Sequence, residues 1–395
     1  MNAWSDLRRL PRGIWAVALS SLVNRLGSMV VPFLALYLIR EKQFTPGEAG
    51  AVLSLYGLAA VVVGPLAGRL VDRVGAVRVM LGALVLAGLF QLLYPLADSV
   101  AAIVLVTIAL GAAAEAYRPA VMTVIADLVP AEQSRSAYAL VRLAINLGMS
   151  IGPAAGGFLA MWSFKAIFIV DGVTTLIGAG VLAAARLRPP IRHRPRGEAA
   201  APIWIALADR RFRGFLLGLF AINIVSFQGE STMPIYLVGD LGLAESTYGL
   251  LFTVNTILIV LLEVPLTVAI RTAPMRRTMV LGSLAYAVGF GALAIATDTP
   301  TVLLTVVIWT FGEMLLSPTA SAFVAELAPP EKRGAYMGLF TASFSLAFVV
   351  APWLGTQSLQ GLGGTGHWVA MFALGLAATG LVALGASPAP KSGDA

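Results

Sequence analysis

The chain has 395 residues, 58% of them hydrophobic and 12% charged, against roughly 25% charged residues in an ordinary soluble domain. A soluble core cannot hide that much apolar surface, so the composition points away from a soluble enzyme. The formal charge of +7 would suit nucleic acid in a polar chain, but in so apolar a sequence the basic residues read as orienting signals.

Apolar runs of about twenty residues, the length that crosses a ~30 Å hydrocarbon core as a helix, recur along the whole chain. The predicted spans are 13–39, 47–70, 79–97, 100–126, 137–161, 166–186, 214–238, 246–270, 278–297, 301–327, 335–357 and 367–386. The first follows Arg8, Arg9 and Arg12, contains Arg25 and lacks a clear cleavage site, so it reads as a retained helix rather than a signal peptide. Twelve spans put both termini on one side. With that side as the cytoplasm, 21 Lys and Arg fall at inner loops, termini and helix ends, three lie outside (Arg40, Lys42, Lys165) and three lie within the membrane, which is the asymmetry of the positive-inside rule. The longest connection holds Arg188, Arg192, Arg194, Arg196, Arg210, Arg211 and several prolines. It reads as a cytoplasmic linker, 187–213, between an N-terminal half, 1–186, and a C-terminal half, 214–395.

The two halves match at an offset of about two hundred residues. Gly64-Pro65-Leu66 falls on Val264-Pro265-Leu266, and Ala126-Asp127-Leu128-Val129-Pro130-Ala131-Glu132 falls on Ala325-Glu326-Leu327-Ala328-Pro329-Pro330-Glu331. Arg135, Ala137 and Tyr138 then meet Arg333, Ala335 and Tyr336. Polar loop residues recurring in order are not explained by chance likeness between apolar helices. Six helices per half keep both copies in one orientation, so the expectation is an all-α membrane protein of two parallel repeats with a cavity between them.

Two motifs carry a family resemblance. Gly68-Arg69-Leu70-Val71-Asp72-Arg73-Val74-Gly75 with Arg78 resembles the loop between helices 2 and 3 of the major facilitator superfamily. Its glycines would let helix ends approach, Asp72 would accept from a helix N-terminus or an arginine, and Arg73 would neutralise a helix C-terminus. The second copy has Thr272 and Ala273 at the charged positions, so one half would carry this gating latch alone. Gly148, Gly152, Pro153, Gly156 and Gly157 on the fifth span resemble the motif of the superfamily's antiporter branch. Glycines at fourfold spacing let a neighbour sit against bare backbone, and Pro153 permits a bend. One feature departs from the family, whose helix 4 arginine is replaced by Thr107.

An ionisable side chain in a span is by default a candidate for substrate or proton handling. The N-terminal half offers Asn24, Arg25, Glu115, Arg118, Arg142 and Asn146, with Glu115 and Arg118 spaced to face each other on one helix. The C-terminal half offers Glu230, Glu263 and Glu313 and no embedded cation, an arrangement suited to reversible protonation. Gly312-Glu313-Met314-Leu315-Leu316-Ser317-Pro318 resembles helix 10 of a bacterial multidrug proton antiporter, which implies a functional role for Glu313. Glu230 matches a helix 7 aspartate there, and Val141 stands where that relative has a helix 5 aspartate. Asp171 reads as interfacial. Tyr37, Tyr56, Tyr117, Phe227, Tyr236, Tyr248, Phe252, Trp309 and Met314 are candidates to line an adaptable apolar pocket.

The chain contains no cysteine, and His193 and His367 are too few and too distant for a cluster, so no metal or cofactor is expected. The resemblance implies a monomeric, proton-coupled exporter of lipophilic, often cationic molecules in the bacterial inner membrane, with Glu313, Glu230 and Glu263 as coupling residues, in contact with lipid and not with nucleic acid. The alternatives are a symporter or uniporter for a sugar, nucleoside, peptide or other metabolite, and a non-transporting sensor.

Overall fold

Residues 10–187 and 204–387 are described by a computed structural model. Among them, eleven helices are long and apolar enough to cross a membrane, and there is no strand. The last, Arg333–Gly385, has 53 residues. That is about 80 Å at 1.5 Å per residue, more than a bilayer accepts. Gly363, at φ 70 and ψ 173, interrupts it, so it comprises the eleventh and twelfth spans and the crossings number twelve.

Helix starts follow local chemistry. Thr45 begins the second span, Pro46–Val74, with a reciprocal capping box to Glu48. Ser99 caps Val100–Leu128, and Asp298 caps Thr299–Leu327, so the internal repeat preserves a capping side chain at the start of spans four and ten. Asp209 caps Arg210–Ser226, taking the Arg211 and Phe212 N–H groups and a hydrogen bond from Tyr336. The turn between spans two and three is made by Gly75, whose φ of 97 is open to glycine and strained for other residues.

The described residues form two compact units. One takes the chain up to residue 187 together with Glu230–Thr256; the other takes 204–229 and 257–387. Packing therefore assigns the outer end of the seventh span and the start of the eighth to the first unit, across the 1–186 and 214–395 division expected from the repeat. Most of the 187–213 linker lies outside the described residues, and Trp204–Leu207 forms a short helix at its end. The first unit contains a core of Ile14, Val17, Val71, Met80, Tyr117, Val124 and their neighbours. The second contains a smaller cluster around Ile224, Ala347 and Ala351. Large apolar side chains such as Leu105, Val264 and Leu304 stay exposed on the helices, as lipid-facing surface does.

In the first unit an outer tie joins two loops: Lys42 donates to Asp98 at 2.9 Å. That hydrogen bond holds the Asp98 carboxyl below its usual range. The tie is complete above the ordinary aspartate range and is lost as pH falls through the lowered value.

Candidate functional site

Two spans expected to be continuous, 13–39 and 214–238, are broken. The first runs as Arg12–Leu26, a non-helical Gly27–Met29, then Val30–Arg40. The seventh runs as Arg210–Ser226, the short turns Gln228–Ser231 and Met233–Ile235, then a π turn at Tyr236–Asp240. The cause is shared. Pro32 and Pro234 have no N–H, so each denies a helical bond to the carbonyl four residues earlier, at Ser28 and Glu230. A glycine lies five residues before each proline, Gly27 and Gly229, at the offset of the repeat. Interrupted helices at corresponding positions of two repeats are where transporter folds gather ligands.

The fifth span, Ala131–Ala160, presses its glycines onto the first break. A Cβ on Gly152 would lie 2.8 Å from the Arg25 carbonyl oxygen; one on Gly156 would lie 2.9 Å from Met29 Cβ; and one on Gly148 would overlap Arg25 Cβ. The opposite side of the same stretch receives the eighth span, Glu245–Ile270. Gly157 abuts the Glu245 carbonyl, Gly249 abuts Pro153, and Thr253 Oγ1 donates to the Ser150 carbonyl at 2.6 Å. Outward of this seam Phe33 meets Tyr248 edge-on at 5.2 Å, and Arg40 pairs with Glu245. The glycine motif thus welds the outer parts of spans one, five and eight.

Around the break, Asn24 Oδ1 accepts from Thr175 Oγ1 at 3.0 Å, while Arg25 Nη1 reaches Ser28 Oγ at 3.5 Å and its Nε is buried without a hydrogen-bond partner. Asp171, expected at the interface, is instead 3% exposed. Its Oδ2 accepts the Met29 and Val30 N–H groups at 3.2 and 3.0 Å. Glu115 and Arg118 form no contact ion pair: Arg118 is exposed, and Glu115 lies against Gly64 of the second span. Arg142 is exposed and Asn146 half-buried on the fifth span. Tyr117 is not a lining residue. It packs in the core with its hydroxyl 2.9 Å from Ser21 Oγ. Tyr37 is likewise withdrawn into a stack with Tyr94 and Phe168. Thr107, where the family's arginine was expected, is buried and hydrogen-bonded to Tyr94 Oη at 2.7 Å. Glu230, beside the second break, lies in this unit within electrostatic reach of Tyr56 and Tyr248.

In the second unit, spans nine and ten meet at bare backbone: a Cβ on Gly312 would lie 2.8 Å from the Gly282 carbonyl oxygen and 2.9 Å from Tyr286 N. Glu313 follows immediately, half-buried, within electrostatic reach of Tyr286. Met314 is 2% exposed and therefore packing rather than lining. Trp309 stacks on Phe290 at 5.7 Å, its Nε1 buried without a partner. Phe227 makes edge contacts with Phe344 and Phe348 at 4.9 and 4.8 Å. Glu263 is half-buried on the eighth span, its carbonyl accepting from Thr267.

The expected inner latch is not engaged. Asp72 and Arg73 are exposed and have no ion-pair or hydrogen-bond partner among the described residues. Arg78, not Arg73, caps the second span by donating to the Val74 carbonyl at 3.3 Å. A Cβ on Gly68 would meet nothing within 4 Å, so this glycine does not serve close helix approach here. Among the described residues no three His, Asp or Glu side chains are grouped to hold a metal ion. Sequence reasoning missed Arg40, Glu245, Thr175 and Gln91 as parts of the first-unit network; the paired glycine-proline spacing was the available signal for its centre.

A family model described as Major Facilitator Superfamily matches residues 17–244 and 219–394. The Multidrug resistance protein MdtH of Aeromonas salmonicida is 27% identical over 86% of this chain and 85% of its own. A Na(+), Li(+), K(+)/H(+) antiporter of Planococcus maritimus is 25% identical over 82% of this chain and 84% of its own. Among solved structures, a peptide transporter POT in complex with sulfate superposes with a TM-score of 0.79 at 15% identity, covering 97% of both chains. At that identity the likeness is one of fold.

Proposed function

This chain belongs to the major facilitator superfamily, and we propose that within it the chain is a proton-driven exporter of lipophilic, often cationic, small molecules. The observation that carries this reading is the fifth-span glycine stripe, packed on the break of span one and on span eight, together with half-buried acids at Glu230 and Glu313. The similarity to MdtH and to a cation/proton antiporter supports exchange over uptake. In the cycle two six-helix halves rock between inward-open and outward-open forms, and protons on Glu313, Glu230 and Glu263 are exchanged for substrate. Asn24, Arg25, Glu115, Arg118, Arg142, Asn146 and Trp309 supply polar and aromatic contacts. The protein works as a monomer in the bacterial inner membrane.

A panel of lipophilic cations, nucleosides, peptides and alkali cations assayed in proteoliposomes under an imposed pH gradient tests this. Uphill movement of a lipophilic cation against the proton gradient is expected. Gradient-driven uptake of a nucleoside or peptide instead would replace exporter with symporter.

Both termini and the 187–213 linker are cytoplasmic in this reading, by the 21 to 3 asymmetry of basic residues. A reporter that is active only in the periplasm, fused after Ala395, should be silent, and activity there would invert the topology. Asp72 acts on the conformational equilibrium. Because it is exposed and unpartnered among the described residues, Asp72→Asn should leave thermal stability within about 0.5 kcal/mol while slowing turnover. Unchanged turnover together with unchanged inner-gate distances would remove that role.

A further inference from the structure

We propose that Asp171 is a positioning residue whose negative charge holds the break of the first span, and that its protonation releases the contact between the first span's outer half and the eighth. The inference rests on the alternating-access reading but not on any substrate or on the coupling residues named above.

Asp171 sits in the sixth span, Phe164–Ala184, with its carboxylate turned into the start of the half-helix Val30–Arg40. One oxygen takes both the Met29 and the Val30 N–H groups; Met29 N–H also donates to the Gly27 carbonyl at 2.6 Å, so Val30 N–H is the donor that the broken helix would leave orphaned in a water-poor interior. The other oxygen lies 3.5 Å from Thr175 Oγ1, which also donates to Asn24, and the Gln91 amide reaches the carboxylate from the third span. Titratable neighbours are few: Arg25 of the first span, engaged with Ser28, and Tyr56 of the second. Tyr37 and Tyr94 stand on Phe168, one turn outward. The helix approach is tight, since a Cβ on Gly27 would lie 3.1 Å from Asp171 Cα.

The eleven residues held by this cap carry the outer seam: Phe33 against Tyr248, and Arg40 paired with Glu245. A proton on the carboxyl removes the charge that complements the half-helix N-terminus and turns one acceptor into a donor. The half-helix then loses its anchor at Val30, and a rigid rod of about 16 Å transmits the freedom to Arg40. The result is a proton-sensitive catch on the outer side, carried by a carboxylate other than the proposed coupling residues Glu313, Glu230 and Glu263.

The chain has no cysteine, so cysteines introduced at the exposed positions Glu41 and Ala244 take spin labels at those sites alone. Electron–electron resonance distances in lipid nanodiscs at about pH 8 and about pH 3.5, either side of the carboxylate and histidine ranges, need no substrate. They therefore succeed or fail independently of the export assay. Acid should shift the population toward longer distances, and Asp171→Asn should show the longer distances at both pH values. A pH-invariant distribution in the unsubstituted chain would overturn the proposal. So would an Asp171→Asn variant with an intact pH response, which would place the titrating group elsewhere. Should Asp171→Asn not fold, Asp171→Glu decides: its midpoint moves if position 171 titrates, and a midpoint that stays in place overturns the assignment.

Discussion

Gly152→Val should abolish transport and lower the thermal midpoint of the purified protein, whereas Gly180→Val should do neither. A side chain at Gly152 meets the carbonyl oxygens of Arg25 and Leu26 at 2.8 and 3.1 Å. These are backbone atoms at the edge of the break, so they cannot swing aside as a flexible side chain would. Overpacking of this sort costs roughly 1–3 kcal/mol, and without strong hydrophobic drive between helices in lipid, close backbone contact is a main source of association. Gly180 lies in the neighbouring sixth span with nothing within 4 Å of an added Cβ, so it controls for bulk and β-branching. Gly152→Ala should fall between the two. Thermal melts in detergent and transport rates in proteoliposomes read both effects. A Gly152→Val protein with normal melting and normal rates would show that spans one and five do not need this contact.

The span count was legible because apolar length is a local property. The fifth-span stripe was legible too, since fourfold glycine spacing is a helical face. Its partners were not: that Gly148, Gly152 and Gly156 meet the first span while Gly157 meets Glu245 depends on which helices become neighbours. The breaks at Gly27 and Gly229 were readable in principle from Gly27 with Pro32 and Gly229 with Pro234, but the unbroken apolar runs around them concealed the interruption. Asp171 was misjudged for a related reason. Its distance from the end of its own helix indicates depth, whereas its burial comes from the broken helix packed beside it. The pairing of Glu115 with Arg118 shows the converse error, in which favourable spacing within one helix did not produce a contact.

Glu313→Gln should abolish gradient-driven export of a cationic substrate while preserving folding and downhill exchange. Glu313 is half-buried in a 29-residue helix, next to the backbone contact of Gly312 with Gly282 and Tyr286. An alternating-access cycle presents such a carboxylate with different surroundings in its two forms, and therefore with different proton affinities. Exchange requires that difference. Glutamine keeps the shape and the hydrogen-bonding reach of the protonated acid but has no proton to release, so substrate still binds and equilibrates while the gradient no longer does work on it. A glutamate whose role was to pair with an arginine would behave otherwise: its replacement leaves a charge uncompensated in a low-dielectric interior, and stability falls by several kcal/mol. Two measurements on one preparation separate these outcomes, a thermal melt and an uphill transport assay across a pH series. Full uphill transport with unaltered pH dependence would remove Glu313 from the cycle and pass the coupling role to Glu230 or Glu263.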